Sequence, residues 1–171
     1  EQLCRTGGSG LAAEVGAVSA DHLDFAAEAD AAAMAVAGVT AVFLPGATFF
    51  IGKKRFPPGR IFGQAGTTLA VSTDFNPGSS YTTNLWLMGT MCCTYLGLSP
   101  AVALRAMTAG AAAALDLGES VGRIAPGFNA DLLLLEDNDW QNALYLYGRN
   151  PVAAVYKAGV EAWRRGGVEG G

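Results

Sequence analysis

Three short apolar runs punctuate the first part of the chain, and what lies between them limits the fold more than any other feature. The runs are Ala17 to Leu23, Val39 to Leu44 and Thr67 to Thr73. Segments of helical character separate them. Ala26 to Ala37 is dominated by Ala and stops at Gly38. Pro57-Pro58-Gly59 leads into a shorter helix, Arg60 to Ala65, stopped by Gly66. A helix over Gly10 to Val15 precedes the first run. Helices over Asn84 to Leu96 and Pro100 to Leu115 follow the last, the second with Ser99 as N-cap and Pro100 at the first helical position. The order is αβαβαβα. Strands spaced in this way pair in parallel through right-handed crossovers. Their side chains are apolar on both faces, as a sheet covered on both sides requires.

The pattern changes after Gly118. Gly122 to Leu135 reads as a hairpin with its turn at Pro126-Gly127. Val152 to Lys157 and Val160 to Trp163 read as a second hairpin. This predicts two parts, an α/β layer over 1–118 and a small separate β layer over 119–171, with Gly166 to Gly171 as a frayed end. At 171 residues the chain is one domain or a large piece of one. It is 51% hydrophobic and 15% charged, enough to bury a sizeable core. The net charge of −4, with no basic run beyond Lys53-Lys54-Arg55 and Arg164-Arg165, argues against nucleic acid as a partner. Lys53-Lys54-Arg55 reads as a solvated loop face. The uncharged stretch Leu85 to Leu98 is too short to span a membrane. Cys4, Cys92 and Cys93 lack metal-finger spacing and read as small buried apolar residues of a reducing compartment. No signal peptide is visible, and cytoplasmic residence is expected. The start at Glu1 without Met is expected of a fragment.

The chemistry is concentrated at two strand ends. His22, the only histidine, closes the first run, and Asp74 follows the third. In a parallel α/β barrel, residues at the C-terminal ends of strands line one mouth, where active sites lie. Each residue also has a plain structural reading: a satisfied histidine, and an Asx-type cap for the turn at Asn76-Pro77-Gly78. The loop Asn76 to Ser80 precedes a helix and is rich in backbone N–H groups, which suits an anion such as a substrate carboxylate. Gly78 permits close approach, and Asn76 offers both donor and acceptor. Asp24, Glu28 and Asp30 read as a solvated helix start. Tyr145 and Tyr147 read as packing.

The segments SADHLD (19–24), LPGATFF (44–50), STDFNPGSS (72–80) and GRIAPGFNADLLLLE (122–136) resemble the imidazolonepropionases, over their C-terminal half. That family belongs to the amidohydrolase superfamily and acts in histidine degradation. The resemblance covers Glu1 to about Gly159. STDFNPGSS is particular to this branch, whereas the closing pattern Gly122 to Asp131 is shared across the superfamily.

The resemblance implies the C-terminal part of a metal-dependent (β/α)8 TIM barrel plus part of a small β-sandwich. It implies hydrolysis of 4-imidazolone-5-propanoate to N-formimidoyl-L-glutamate by a metal-activated water, with zinc or iron as the metal. Asp74 matches a metal-binding aspartate and His22 a catalytic histidine that is not a ligand. Gln2, Asn76, Gly78 and Ser79 match substrate-contacting positions. A small molecule is the expected partner, and a homodimer the expected assembly of the full-length protein. Catalytic zinc normally needs three protein ligands, and the chain supplies one ligand of about four that the resemblance implies, so metal retention and turnover by these 171 residues alone are not expected. A ring deaminase of the same superfamily and a non-catalytic half-barrel are the alternative readings.

Overall fold

The computed structural model describes residues 1–166; the glycine-rich tail beyond them, where fraying is expected, lies outside the described residues. Three parallel strands form one sheet in the order β1-β2-β3: β1 is Ser19–Asp21, β2 Thr40–Phe43 and β3 Leu69–Val71. Asp21 pairs with Val42, and Val42 with Ala70, so these three share a face. The opposite face carries Ala41, Phe43, Leu69 and Val71 into the main core. There they meet Met34, Phe62 and Met88. Phe43 and Phe62 pack edge to face at 5.6 Å.

Helices α1 (Gly8–Glu14), α2 (Glu28–Ala37) and α4 (Gly59–Gln64) lie where the sequence puts them. Helix α5 (Leu85–Tyr95) is capped by Asn84, whose Oδ1 accepts from the Leu87 N–H. A short helix not foreseen, α3 (Pro45–Phe50), follows β2 directly, with Pro45 at its first position. The single helix expected over Pro100 to Leu115 is three pieces: α6 (Pro100–Arg105), a π-helical turn (Ala106–Gly110) and α7 (Ala111–Ala114). The turn sets Gly110 against β3, where a Cβ would lie 1.8 Å from the Leu69 carbonyl oxygen.

The hairpin expected over Gly122 to Leu135 does not form. Only β4 (Leu132–Leu135) is a strand, and it pairs antiparallel with β5 (Val152–Lys157). The segment before it closes on itself, with the Asn129 N–H bonded to the Ser120 carbonyl at 2.8 Å. Strand β5 pairs in turn with β6 (Val160–Arg164), the hairpin read from the sequence. One more unforeseen turn of helix, α8 (Asn142–Tyr145), packs on α5, with Thr90 Oγ1 donating to the Leu144 carbonyl at 2.6 Å. Tyr145 and Tyr147 are exposed rather than packed, and so is Cys4; only Cys92 is buried, where burial pushes its thiol up to about 12. Among the described residues no helix is long and apolar enough to cross a membrane.

Candidate active site

Parallel strands place their C-terminal ends along one edge of a sheet. His22 follows β1 there, and Asp74 lies just beyond β3. Nε2 of His22 stands 4.0 Å from Oδ2 of Asp74, with the side chains 22% and 26% exposed. That is too long for a hydrogen bond but close enough for charge on one group to act on the other. His22, Leu23 and Asp74 have φ of 68°, 70° and 51°. Left-handed backbone at non-glycine residues is strained, and here it occurs at both His22 and Asp74, with Leu23 of the same turn buried in the core.

The turn after β1 buries a carboxylate the sequence reading left in solvent. Asp24 is 1% exposed, and its Oδ1 accepts from Thr48 Oγ1 of α3 at 2.5 Å. Burial pushes its carboxyl above the usual range, against the Thr48 hydrogen bond and the charge of His22. Arg55 is not merely solvated. Its Nε donates to the Asp24 carbonyl at 2.8 Å, and its guanidinium lies 4.7 Å from the centre of the Phe25 ring. Asp30 is also buried. It accepts from Arg5 at 2.7 Å and from the Ala27 N–H at 2.7 Å, capping α2. Of the three expected surface acids only Glu28 is exposed.

The loop after Asp74 is organised from within. Asn76 Nδ2 donates to the Asp74 carbonyl at 2.7 Å and to Ser79 Oγ at 3.0 Å. Its Oδ1 accepts from the N–H groups of Gly78 and Ser79, both at 2.8 Å. The Asx cap read as an alternative for Asp74 is therefore made by Asn76. The Gly78 and Ser79 N–H groups are turned to that cap. The loop also does not open a helix, since Tyr81 to Asn84 separate it from α5. Among the described residues the Asp74 carboxylate accepts no hydrogen bond.

A cleft of 580 Å³ adjoins Asp74, walled by Val42, Ala70 and Ala114 and edged by Asp21, Ser72 and Thr83. Asp21 and Ser72 were missed as site residues. Period-two alternation through SAD and VST is the signal that places them on the face of Val42 and Ala70. Gln2 is half-buried, outside this cleft and without a side-chain hydrogen bond among the described residues. Among those residues no group of three or more His, Cys, Asp or Glu side chains gathers to hold a metal.

The profile described as "Amidohydrolase family" matches residues 22–162, which takes in both His22 and Asp74. The chain belongs to the amidohydrolase family. Among its relatives, the imidazolonepropionase of Cupriavidus taiwanensis is 46% identical over 159 residues, 93% of this chain and 38% of that protein. That of Rubrobacter xylanophilus is 43% identical over the same shares. This amidohydrolase chain thus spans 38–40% of the length of such relatives. Of solved amidohydrolase-like structures, an adenosine deaminase from Xanthomonas campestris with bound zinc superposes with a TM-score of 0.74 at 25% identity, covering 84% of this chain and 36% of that one. An E. coli guanine deaminase superposes at 0.71 with 19% identity, over 86% of this chain and 39% of that one, a likeness of fold alone. The amidohydrolase fold read from the sequence, α/β and part of a TIM barrel, is the fold observed.

Proposed function

We propose that this chain carries part of the site of an imidazolonepropionase, which hydrolyses 4-imidazolone-5-propanoate to N-formimidoyl-L-glutamate in histidine degradation in the cytoplasm. One observation carries the reading: His22 and Asp74 stand 4.0 Å apart at strand ends on a chain 46% identical to such an enzyme. Hydrolysis adds water across the ring C–N bond. The water oxygen bonds to carbon, the C–N bond breaks and the nitrogen gains a proton. His22 Nε2 accepts a hydrogen bond from the water and orients it, and the Asp74 carboxylate takes its proton. Gly78 and Ser79, in a loop held by Asn76, together with Gln2, complete the proposed substrate contacts. The assembly proposed for the whole protein is a homodimer.

Zinc or iron belongs to this proposal only for the whole protein. Catalytic zinc takes three protein ligands, and this chain offers the Asp74 carboxylate without a cluster of three among the described residues. The donor set does not fit a metal by itself, so the steps above rest on Asp74 and His22 alone.

A hybrid tests the proposal. The chain replaces the matching segment of the C. taiwanensis imidazolonepropionase, and loss of imidazolonepropanoate is followed with metal content. Turnover by the hybrid, lost in His22→Ala with metal retained and in Asp74→Ala with metal lost, is expected. Undiminished turnover by both variants overturns the residue roles. Turnover of adenine or guanine rings instead would favour the deaminase reading, which the lower identity of the deaminases ranks second.

A further inference from the structure

Among the described residues the imidazole of His22 makes no hydrogen bond. Its Nδ1 is buried without a partner, and its Nε2 lies 4.0 Å from Asp74, beyond hydrogen-bond reach. The aim of the ring is therefore set by the backbone that carries it. That backbone is strained. His22 and Leu23 are consecutive left-handed residues, with φ of 68° and 70°, and such conformations persist only where the surroundings over-determine them. Before the turn the chain is fixed by β1, whose Asp21 pairs with Val42. After it, Leu23 is sunk in the core and Asp24 is 1% exposed. What fixes Asp24 comes from the segment that follows β2. Thr48 of α3, itself buried, donates from Oγ1 to Oδ1 at 2.5 Å. Arg55 donates from Nε to the Asp24 backbone carbonyl at 2.8 Å and lies 4.7 Å from the centre of the Phe25 ring. Oδ2 has no partner among the described residues, so Thr48 is the only side chain there that donates to this buried carboxyl.

We propose that Thr48 and Arg55 are positioning residues for His22: they hold the turn after β1 in the left-handed conformation that brings Nε2 to 4.0 Å from Asp74. Neither is hydrogen-bonded to the imidazole, and both act through Asp24. Without the Thr48 hydroxyl, Asp24 would keep a buried carboxyl to which no side chain donates. Burying a polar group without a partner is costly, so the carboxyl would move to water. That movement frees the backbone between Leu23 and Phe25, and His22 and Leu23 then relax toward negative φ, where side chains meet less steric conflict. The relaxation swings the imidazole away from Asp74. Arg55 holds the same residue by its backbone, so its loss loosens the turn from the other side. The effect on rate rests on the function proposed above. The backbone conformation does not.

The chain has a single histidine, so the backbone amide signal of the 171-residue chain labelled with 15N-histidine reports His22 alone. A left-handed residue holds its amide proton close to its own Hα, so the intraresidue NOE at that signal reads the conformation. The wild-type chain is expected to give a strong NOE, and so is Thr48→Ser, which keeps the hydroxyl. Thr48→Val keeps the shape of threonine but loses the hydroxyl, and Arg55→Met keeps the stem but loses the donor. Both are expected to weaken the NOE. A folded Thr48→Val chain with the wild-type NOE overturns the proposal. Where Thr48→Val does not fold, Arg55→Met, a change at an exposed residue, decides by the same criterion. In the hybrid enzyme, Thr48→Val is expected to lower kcat by up to roughly the 10²-fold that a small misplacement of a reacting group costs, with KM nearly unchanged and Thr48→Ser restoring the rate. An equal loss in Thr48→Ser overturns the role of the hydroxyl. A hybrid that turns over no imidazolonepropanoate counts against the proposed function and leaves the NOE result standing.

Discussion

Nε2 of His22 and Oδ2 of Asp74 stand 4.0 Å apart although their strands are not neighbours. Strand β2 lies between β1 and β3 and ends in Phe43. Both residues sit beyond the strand ends with positive φ, so the approach is made in the turns above the sheet, where the backbone is strained to make it.

That approach predicts a specific kinetic outcome. A positioned acid–base group contributes roughly 10²–10⁴-fold to a rate, so His22→Ala in the hybrid enzyme is expected to lose kcat by that order. Steady-state assays with metal analysis check it. A rise in KM with kcat unchanged would take His22 out of the chemical step.

Asn76 is predicted to act through the loop. Its side chain makes four short hydrogen bonds, to Asp74, Gly78 and two atoms of Ser79. Each is worth about 1 kcal/mol. Asn76→Ala should therefore speed amide hydrogen exchange at Gly78 and Ser79. Asn76→Asp keeps the acceptor for those two N–H groups and should protect them better than Ala does.

Gly110 has no room for a side chain. A Cβ there would meet the Leu69 carbonyl oxygen at 1.8 Å and its carbon at 2.9 Å, both on β3. Backbone cannot step aside as a side-chain tip can. Gly110→Ala is expected to destabilise by at least the roughly 1–3 kcal/mol of ordinary overpacking. Thermal unfolding should show this as a drop of about 2–4 °C per kcal/mol. An unchanged Tm would mean the π-helical turn does not press on the sheet.

Two buried acids give stability opposite pH dependences. Burial works to raise the Asp30 carboxyl, but hydrogen bonds from Arg5 and the Ala27 N–H outweigh it and hold it below the usual range. Its contribution is present above the unfolded value of about 3.9 and is lost as pH falls through the folded value. Asp24 is shifted up, chiefly by burial. Its folded state holds a proton that the unfolded chain releases, so stability falls as pH rises from about 3.9 through the folded value. Urea unfolding across acid to neutral pH should show Asp30→Asn flattening the acid limb and Asp24→Asn removing the loss above it.

What the sequence determined by itself is local. Ala-rich composition, Gly38 and Gly66 as stops, and Ser99-Pro100 as a start mark helices, because propensity and capping act within a turn or two. The alternation of apolar runs and helices made a parallel sheet the expected solution, and with it the shared edge on which His22 and Asp74 lie. Tertiary structure alone decided the rest. Leu132 to Leu135 needs a partner, and it pairs with Val152 to Lys157 rather than with its own neighbours. Asp24 and Asp30 look like surface acids in a string of letters, yet Thr48 and Arg5, distant in sequence, hold them buried. The same holds for the loop after Asp74, whose N–H groups are spent on Asn76. Burial and hydrogen-bond partnership depend on register and packing between distant segments, and no local pattern encodes which carboxylate will lose its water.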